Sequence, residues 1–372
     1  MSRPASNIAF TVTLGAALFL GAGVMGLVLL ASGAPDALAL GVVLAAIPVG
    51  PVIGCYLWLD RYEPEPRSLL LLGLGWGAFV ATSAAIFLQA FDAFAFGPGE
   101  AVESVLVAPL TEEAAKGLFI VLLLGYRRAE LDGVLDGIVY AGMVGIGFAF
   151  MENILYLSSA YVGDDGQVGG IEGAVSLFVV RGIGSPFAHP FFTAFTGIGI
   201  GIAVGSRDRR VRVLAPLGGF VLAVAAHAAW NGSLLLDGGR GALTAYVGLM
   251  VPAFLVMVAF AIWSRRREGV LLAAALADCA GRGFIDAREV PWLTRIPARK
   301  ACRKYASRTG GRAALQAMKT YQSEAIELGF LHHRFLRGTP PARYAELGQA
   351  HLARMLALRP LLLWPQSRPV GA

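Results

Sequence analysis

Apolar residues run through long stretches of this chain without the polar interruptions that mark the outer face of a soluble helix. About 20 such residues in a row suffice for a helix to cross a bilayer. Eight stretches qualify: 8–31, 37–59, 69–91, 101–125, 134–157, 187–205, 213–230 and 244–263. They predict an all-α polytopic membrane bundle of about eight transmembrane helices. The first stretch is too long, and its start too weakly basic, for a cleaved signal peptide; it reads as a retained anchor. Residues 171–185 carry Glu172 and Arg181 in an otherwise apolar run, which suggests an interfacial or re-entrant helix on the outer side.

The polar positions between the stretches alternate in arginine content. Arg61 and Arg67 follow the second stretch, Arg127 and Arg128 the fourth, Arg207, Arg209, Arg210 and Arg212 the sixth, and Arg265, Arg266 and Arg267 the eighth. Loops 32–36, 92–100 and 158–172 have no Lys or Arg, and 232–241 has only Arg240. Cytoplasmic loops are the ones enriched in Lys and Arg, so both termini are expected in the cytoplasm of a multi-pass cell-membrane protein.

Charge divides the chain in two. Residues 1–263 hold 12 Lys/Arg and 18 Asp/Glu, and residues 264–372 hold 19 Lys/Arg and 7 Asp/Glu. We therefore expect a transmembrane domain at 1–263 and a small, basic, helical cytoplasmic domain at 264–372. In the latter, 270–276 is an apolar run, 312–328 and 341–358 have helical patterns, and Pro340-Pro341 marks a break. Basic residues beside a span mark the cytoplasmic face and attract anionic headgroups. No nucleic-acid-binding motif is present, so the expected partner is the lipid bilayer and not a nucleic acid. Composition agrees: 56% of residues are hydrophobic and 15% charged, where soluble domains have about 25% charged. Cys55, Cys279 and Cys302 show no metal-ligand spacing.

Ionisable residues within spans are costly and default to a functional role. Four places carry them: Glu112-Glu113-x-x-Lys116, Glu152, His189-Pro190, and His227-x-x-x-Asn231. Lys116 lies one turn from both glutamates and can pair with either, and the i, i+4 spacing puts His227 and Asn231 on one face. At about 1.5 Å per residue from the arginine loops, Glu112 lies ~22 Å up, Glu152 ~30 Å, His189 ~27 Å and His227 ~22 Å. In a core about 30 Å thick these all fall in the outer half. Four polar groups at one level on four helices point to a single site. Two hydrolytic chemistries fit it. His189, His227, Glu152 and Glu113 are candidate ligands for a metal, zinc in the first instance. Alternatively a glutamate acts as base on water while His and Asn stabilise the oxyanion. A proton-coupled transporter would use the same residue types, although no inverted repeat of hydropathy supports one. Asp136 reads as a cap or a loop contact, and His332, His333 and His351 in the tail as non-ligands.

These motifs, in this order, resemble the PrsW family of intramembrane proteases, which is similar to the wider group containing the type II CAAX prenyl endopeptidases. The resemblance spans about residues 50–235 and includes Asp60-Arg61-Tyr62-Glu63-Pro64-Glu65-Pro66-Arg67. It implies a membrane-embedded endopeptidase. Glu112 or Glu113 would activate water with Lys116 as partner, and His227 and Asn231 would steady the oxyanion. Glu152 stands where the CAAX branch has histidine, which leaves its role open. Metal and metal-free mechanisms both remain open for the group. The resemblance also implies a membrane-anchored protein substrate, such as an anti-sigma factor, cut near the outer side of the membrane.

Overall fold

In a computed structural model, residues 4–31, 33–97, 99–163, 169–236 and 240–365 are described. Ser32, 164–168 and 237–239, in loops expected to face outward, lie outside the described residues. The chain divides into two compact units, one of residues 1–60 and 65–261, the other of 61–64 and 262–372.

The first unit is helical. Its elements are α1 (Pro4–Ala31), α2 (Pro35–Leu59), α3 (Arg67–Phe96), α4 (100–126), α5 (Val134–Val162), α6 (170–184), α7 (Ala188–Gly205), α8 (Arg209–Leu234) and the start of α9 (240–281). Among the described residues, seven helical runs are long and apolar enough to cross a membrane, α6 and α7 counting as one. The eighth expected span is present as α4, a helix whose Glu112, Glu113 and Lys116 make it too charged to qualify by composition. Large apolar side chains such as Phe19 and Phe94 stand almost fully exposed, as lipid-facing residues must.

α5 is the axis of the unit. It packs against α2, α3 and α7, and most of its residues are buried. Small residues permit this: a Cβ on Gly137 would meet the Gly197 carbonyl oxygen of α7 at 2.0 Å, so the two backbones touch. At its start Asp136 Oδ2 accepts the backbone N–H groups of Asp132 and Gly133, both at 2.8 Å, which is the expected capping role.

Two wide, π-helical turns flank the region of the polar motifs, at Glu103–Val107 in α4 and Val179–Gly184 in α6. Pro109 has no N–H to return to Val105, and just ahead of it the Ala108 N–H reaches back to Glu103 O. In α7, Pro190 falls in the first turn, where an N–H would have no helical partner anyway.

The second unit is built from the end of α9, α10 (Val290–Thr294), α11 (Ile296–Leu336) and α12 (Tyr344–Leu358). Leu272, Leu276 and Cys279 of α9 form its core with Tyr321, Ala325 and Leu328 of α11 and Met355 of α12. The expected helix at 312–328 begins where Gly311, at φ 66°, breaks α11. His332 is held between Asp278 Oδ2 (2.6 Å) and the Tyr344 hydroxyl (2.7 Å), a structural role.

Candidate active site

α4, α5, α7 and α8 bring the four polar motifs together. Glu112, Glu152, His189, His227 and Asn231 line one cavity of about 690 Å³, whose walls also include Gln89, Ser104, Tyr156 and Arg181. Glu113 and Lys116 sit behind this wall, with no accessible surface.

Helical phase explains the split. Glu112 and Glu113 are 100° apart around α4, so only one of them can face the cavity. Glu113 instead takes three hydrogen bonds: Oε1 from Lys116 Nζ (2.8 Å) and His227 Nδ1 (3.1 Å), and Oε2 from the Thr193 hydroxyl (2.9 Å). Glu112 Oε2 lies 3.3 Å from Lys116 Nζ, and Oε1 lies 3.5 Å from Gln89 Nε2.

Donor and acceptor roles fix both histidine tautomers. Lysine can only donate, so His189 Nδ1, 2.9 Å from Lys116 Nζ, is the acceptor. Its Nε2 then donates to Glu152 Oε2 at 2.7 Å. In His227 it is Nδ1 that donates, to Glu113, which leaves the Nε2 lone pair open. That Nε2 lies 3.8 Å from Glu112 Oε2, and His189 Nδ1 lies 3.9 Å from the same oxygen. The rings stand edge to face, with centroids 5.3 Å apart, and Phe192 stacks on His227.

Three acceptor atoms, from Glu112, His189 and His227, thus converge within 4.8 Å of one another. This donor set fits a divalent cation with an open fourth position. The far nitrogen of each histidine is held by a carboxylate, Glu152 for His189 and Glu113 for His227, as is usual for metal-bound histidines. Of the ligands expected from the sequence, the two histidines belong to this group; Glu113 and Glu152 stand behind them and Glu112 takes the carboxylate position.

Asn231 Nδ2 donates to Ser104 O at 2.9 Å, tying α8 to the wide turn of α4 and leaving its second N–H for the cavity. Arg181 pairs with Glu152, donates from Nε to Asn153 Oδ1 at 2.7 Å, and lies over the Tyr156 ring. The sequence reading gave no site role to Arg181 or Thr193. The signals were a lone arginine in an apolar run and a threonine one turn beyond His189.

A second polar cluster lies at the loop between α2 and α3. Asp60 Oδ2 accepts the Glu65 N–H at 2.9 Å, and Glu65 Oε2 accepts the Tyr140 hydroxyl at 2.5 Å. Burial pushes the Asp60 carboxyl up to about 7, with repulsion from Asp136 adding to it and the Glu65 N–H opposing it. Burial and then Asp136 raise Glu65 as well.

A bundle of membrane-length helices around a buried Glu/His centre defines a class: polytopic membrane proteins with a polar site inside the helix bundle. Residues 65–259 match the PrsW family of intramembrane metalloproteases, and the chain belongs to that family. Proteins named Protease PrsW are similar to it. That of Geobacillus kaustophilus is 31% identical over 160 residues, 43% of this chain and 65% of that protein. That of Bacillus subtilis is 32% identical over 117 residues, 31% and 53% of the two chains. That of Shouchella clausii is 27% identical over 226 residues, 60% and 95% of the two. The chain thus spans just under two thirds and about half of the first two relatives and nearly all of the third. No solved structure matches the chain.

Proposed function

We propose that the chain is an intramembrane endopeptidase that hydrolyses membrane-anchored protein substrates near the outer side of the membrane. One observation carries the reading: Glu112 Oε2, His189 Nδ1 and His227 Nε2 converge beside a cavity of about 690 Å³. Family membership supports hydrolysis over proton-coupled transport. The arginine-rich loops support both termini lying on the cytoplasmic side of the cell membrane. An anti-sigma factor is the substrate class suggested by the PrsW resemblance.

The residues divide the work. With no ion bound, Glu112, on the cavity wall, takes the proton of the attacking water and returns it to the leaving amine. Glu113 orients His227, and Glu152 orients His189. Asn231 offers its free N–H to the oxyanion. His227 joins it as a donor only when doubly protonated, because its Nδ1 proton is committed to Glu113. Glu112, His189 and His227 would hold an ion, zinc first among the candidates. When bound it supplies Lewis-acid polarisation of the scissile carbonyl.

The test uses purified protein in detergent with single-span substrates bearing extracellular stubs. Cleavage that is lost in Glu112→Ala and in His227→Ala supports the reading. Proton-coupled uptake without cleavage of any substrate overturns it.

A further inference from the structure

Among the described residues, Lys116 is in direct contact with two of the three converging acceptors, Glu112 Oε2 and His189 Nδ1. Its side chain is fully buried, and its ammonium meets Glu113 Oε1 at 2.8 Å, His189 Nδ1 at 2.9 Å and Glu112 Oε2 at 3.3 Å. The Phe148 ring lies 3.9 Å away on a further side. Three acceptors match the three ammonium protons, so the group is saturated. Two of the three are atoms that a divalent ion would need.

We propose that the Lys116 ammonium and a divalent cation compete for one position, so that Lys116 sets how tightly this centre holds metal. The proposal rests on the reading of Glu112, His189 and His227 as an ion-holding group. A ring nitrogen has a single lone pair. His189 Nδ1 spends it on Lys116 or on a metal bond of about 2.0–2.1 Å, never on both. A metal on Nδ1 would also lie within about 5 Å of an unmoved ammonium, the sum of that bond and the present contact. Two positive charges that close, in a buried site, repel strongly. Loading therefore requires Lys116 to leave His189 and Glu112; Glu113, which is not among the ion-holding group of Glu112, His189 and His227, remains its anchor. The cluster has two arrangements. In one the lysine is the resident cation and holds both glutamates and His189 in place. In the other a metal takes that position and the lysine retreats onto Glu113.

The experiment reads zinc affinity, not activity. Full-length wild type and Lys116→Met, each stripped of metal in detergent, compete for zinc with a chromogenic chelator. Methionine keeps an unbranched chain of similar length and removes the charge. The expected result is one zinc bound at least tenfold more tightly by Lys116→Met, with the gain abolished by adding His189→Ala. Equal or weaker binding by Lys116→Met overturns the competition while leaving the ion-holding reading intact. No zinc binding by either protein overturns both. If Lys116→Met does not fold, Lys116→Gln takes its place, since it also removes the charge: tighter zinc binding than wild type supports the proposal, and equal or weaker binding overturns it.

Discussion

His227 donates from Nδ1 to Glu113 Oε1 at 3.1 Å, and that contact turns its Nε2 towards Glu112 and the cavity. It also separates two adjacent glutamates that the sequence leaves equivalent. Glu113 is a fully buried anchor for Lys116, Thr193 and His227, whereas Glu112 is reachable from the cavity.

Substitutions at the two glutamates should therefore fail in different ways. Glu112→Gln preserves shape in a partly open environment, so the protein should fold while cleavage falls about a hundredfold or more. Glu113→Ala removes the nearest carboxylate from a buried ammonium and leaves Thr193 and His227 without their acceptor, and losing one partner of a buried pair costs about 3 kcal/mol or more. Thermal unfolding in detergent beside a cleavage assay separates the two. Equal stability loss in both variants would remove the distinction.

The glycines of α5 make a second prediction, linking packing to chemistry. A Cβ on Gly145 would meet Pro190 N at 2.6 Å and His189 C at 2.8 Å, both of them backbone atoms. Gly145→Ala must push the start of α7 away and carry His189 with it. Overpacking of this kind costs about 1–3 kcal/mol, and a displacement of about 1 Å in a catalytic group can cost about a hundredfold in rate. Gly218→Ala, with nothing within 4 Å of its new methyl, is the matched control. It should leave cleavage near the wild-type level and raise stability by about 0.5–1 kcal/mol. Comparable activity in the two variants would sink the argument.

The loop acids predict a pH dependence. Asp60 titrates near 7 in the folded protein against 3.8 for the ordinary side chain, and Glu65 is raised too. A carboxyl raised by folding favours the native state while protonated. Its contribution is complete below about pH 4 and is lost as pH rises through about 7. Stability should therefore fall between about pH 4 and pH 7, and Asp60→Asn should flatten the slope. Melting curves across that range check it. A wild type that is more stable at the higher pH, with the same slope in Asp60→Asn, contradicts the assignment.

Much of this architecture is legible in the sequence because a bilayer enforces it. Long apolar runs must be helices, and a charge inside one must have a partner. Depth along each helix was enough to put Glu112, Glu152, His189 and His227 at one level. Phase around the helix axis was not. That Glu112 and not Glu113 meets the cavity depends on how α4 rotates against α7 and α8, where Thr193 and His227 claim Glu113. Arg181 escaped for a related reason. Its partner Glu152 is 29 residues away, and the wide turn that aims it inward leaves no periodic mark.

Arg181 supplies the last prediction. It contacts Glu152, Asn153 and Tyr156 at once, and Glu152 in turn holds His189 Nε2. The guanidinium therefore acts on the centre at one remove, by fixing the carboxylate that orients His189. Lysine keeps the charge but lacks the planar fork needed to reach Glu152 and Asn153 together. Arg181→Lys should fold normally and cleave more slowly, with the loss in kcat and KM little changed, because the cavity wall is kept while the orientation of His189 loosens. Arg181→Ala should be worse, since Glu152 then keeps His189 as its only close partner among the described residues and can rotate with it. If Arg181 merely propped α6 against α5, both variants would lose stability in proportion to activity. Unfolding midpoints measured beside the kcat and KM of each variant separate the two roles.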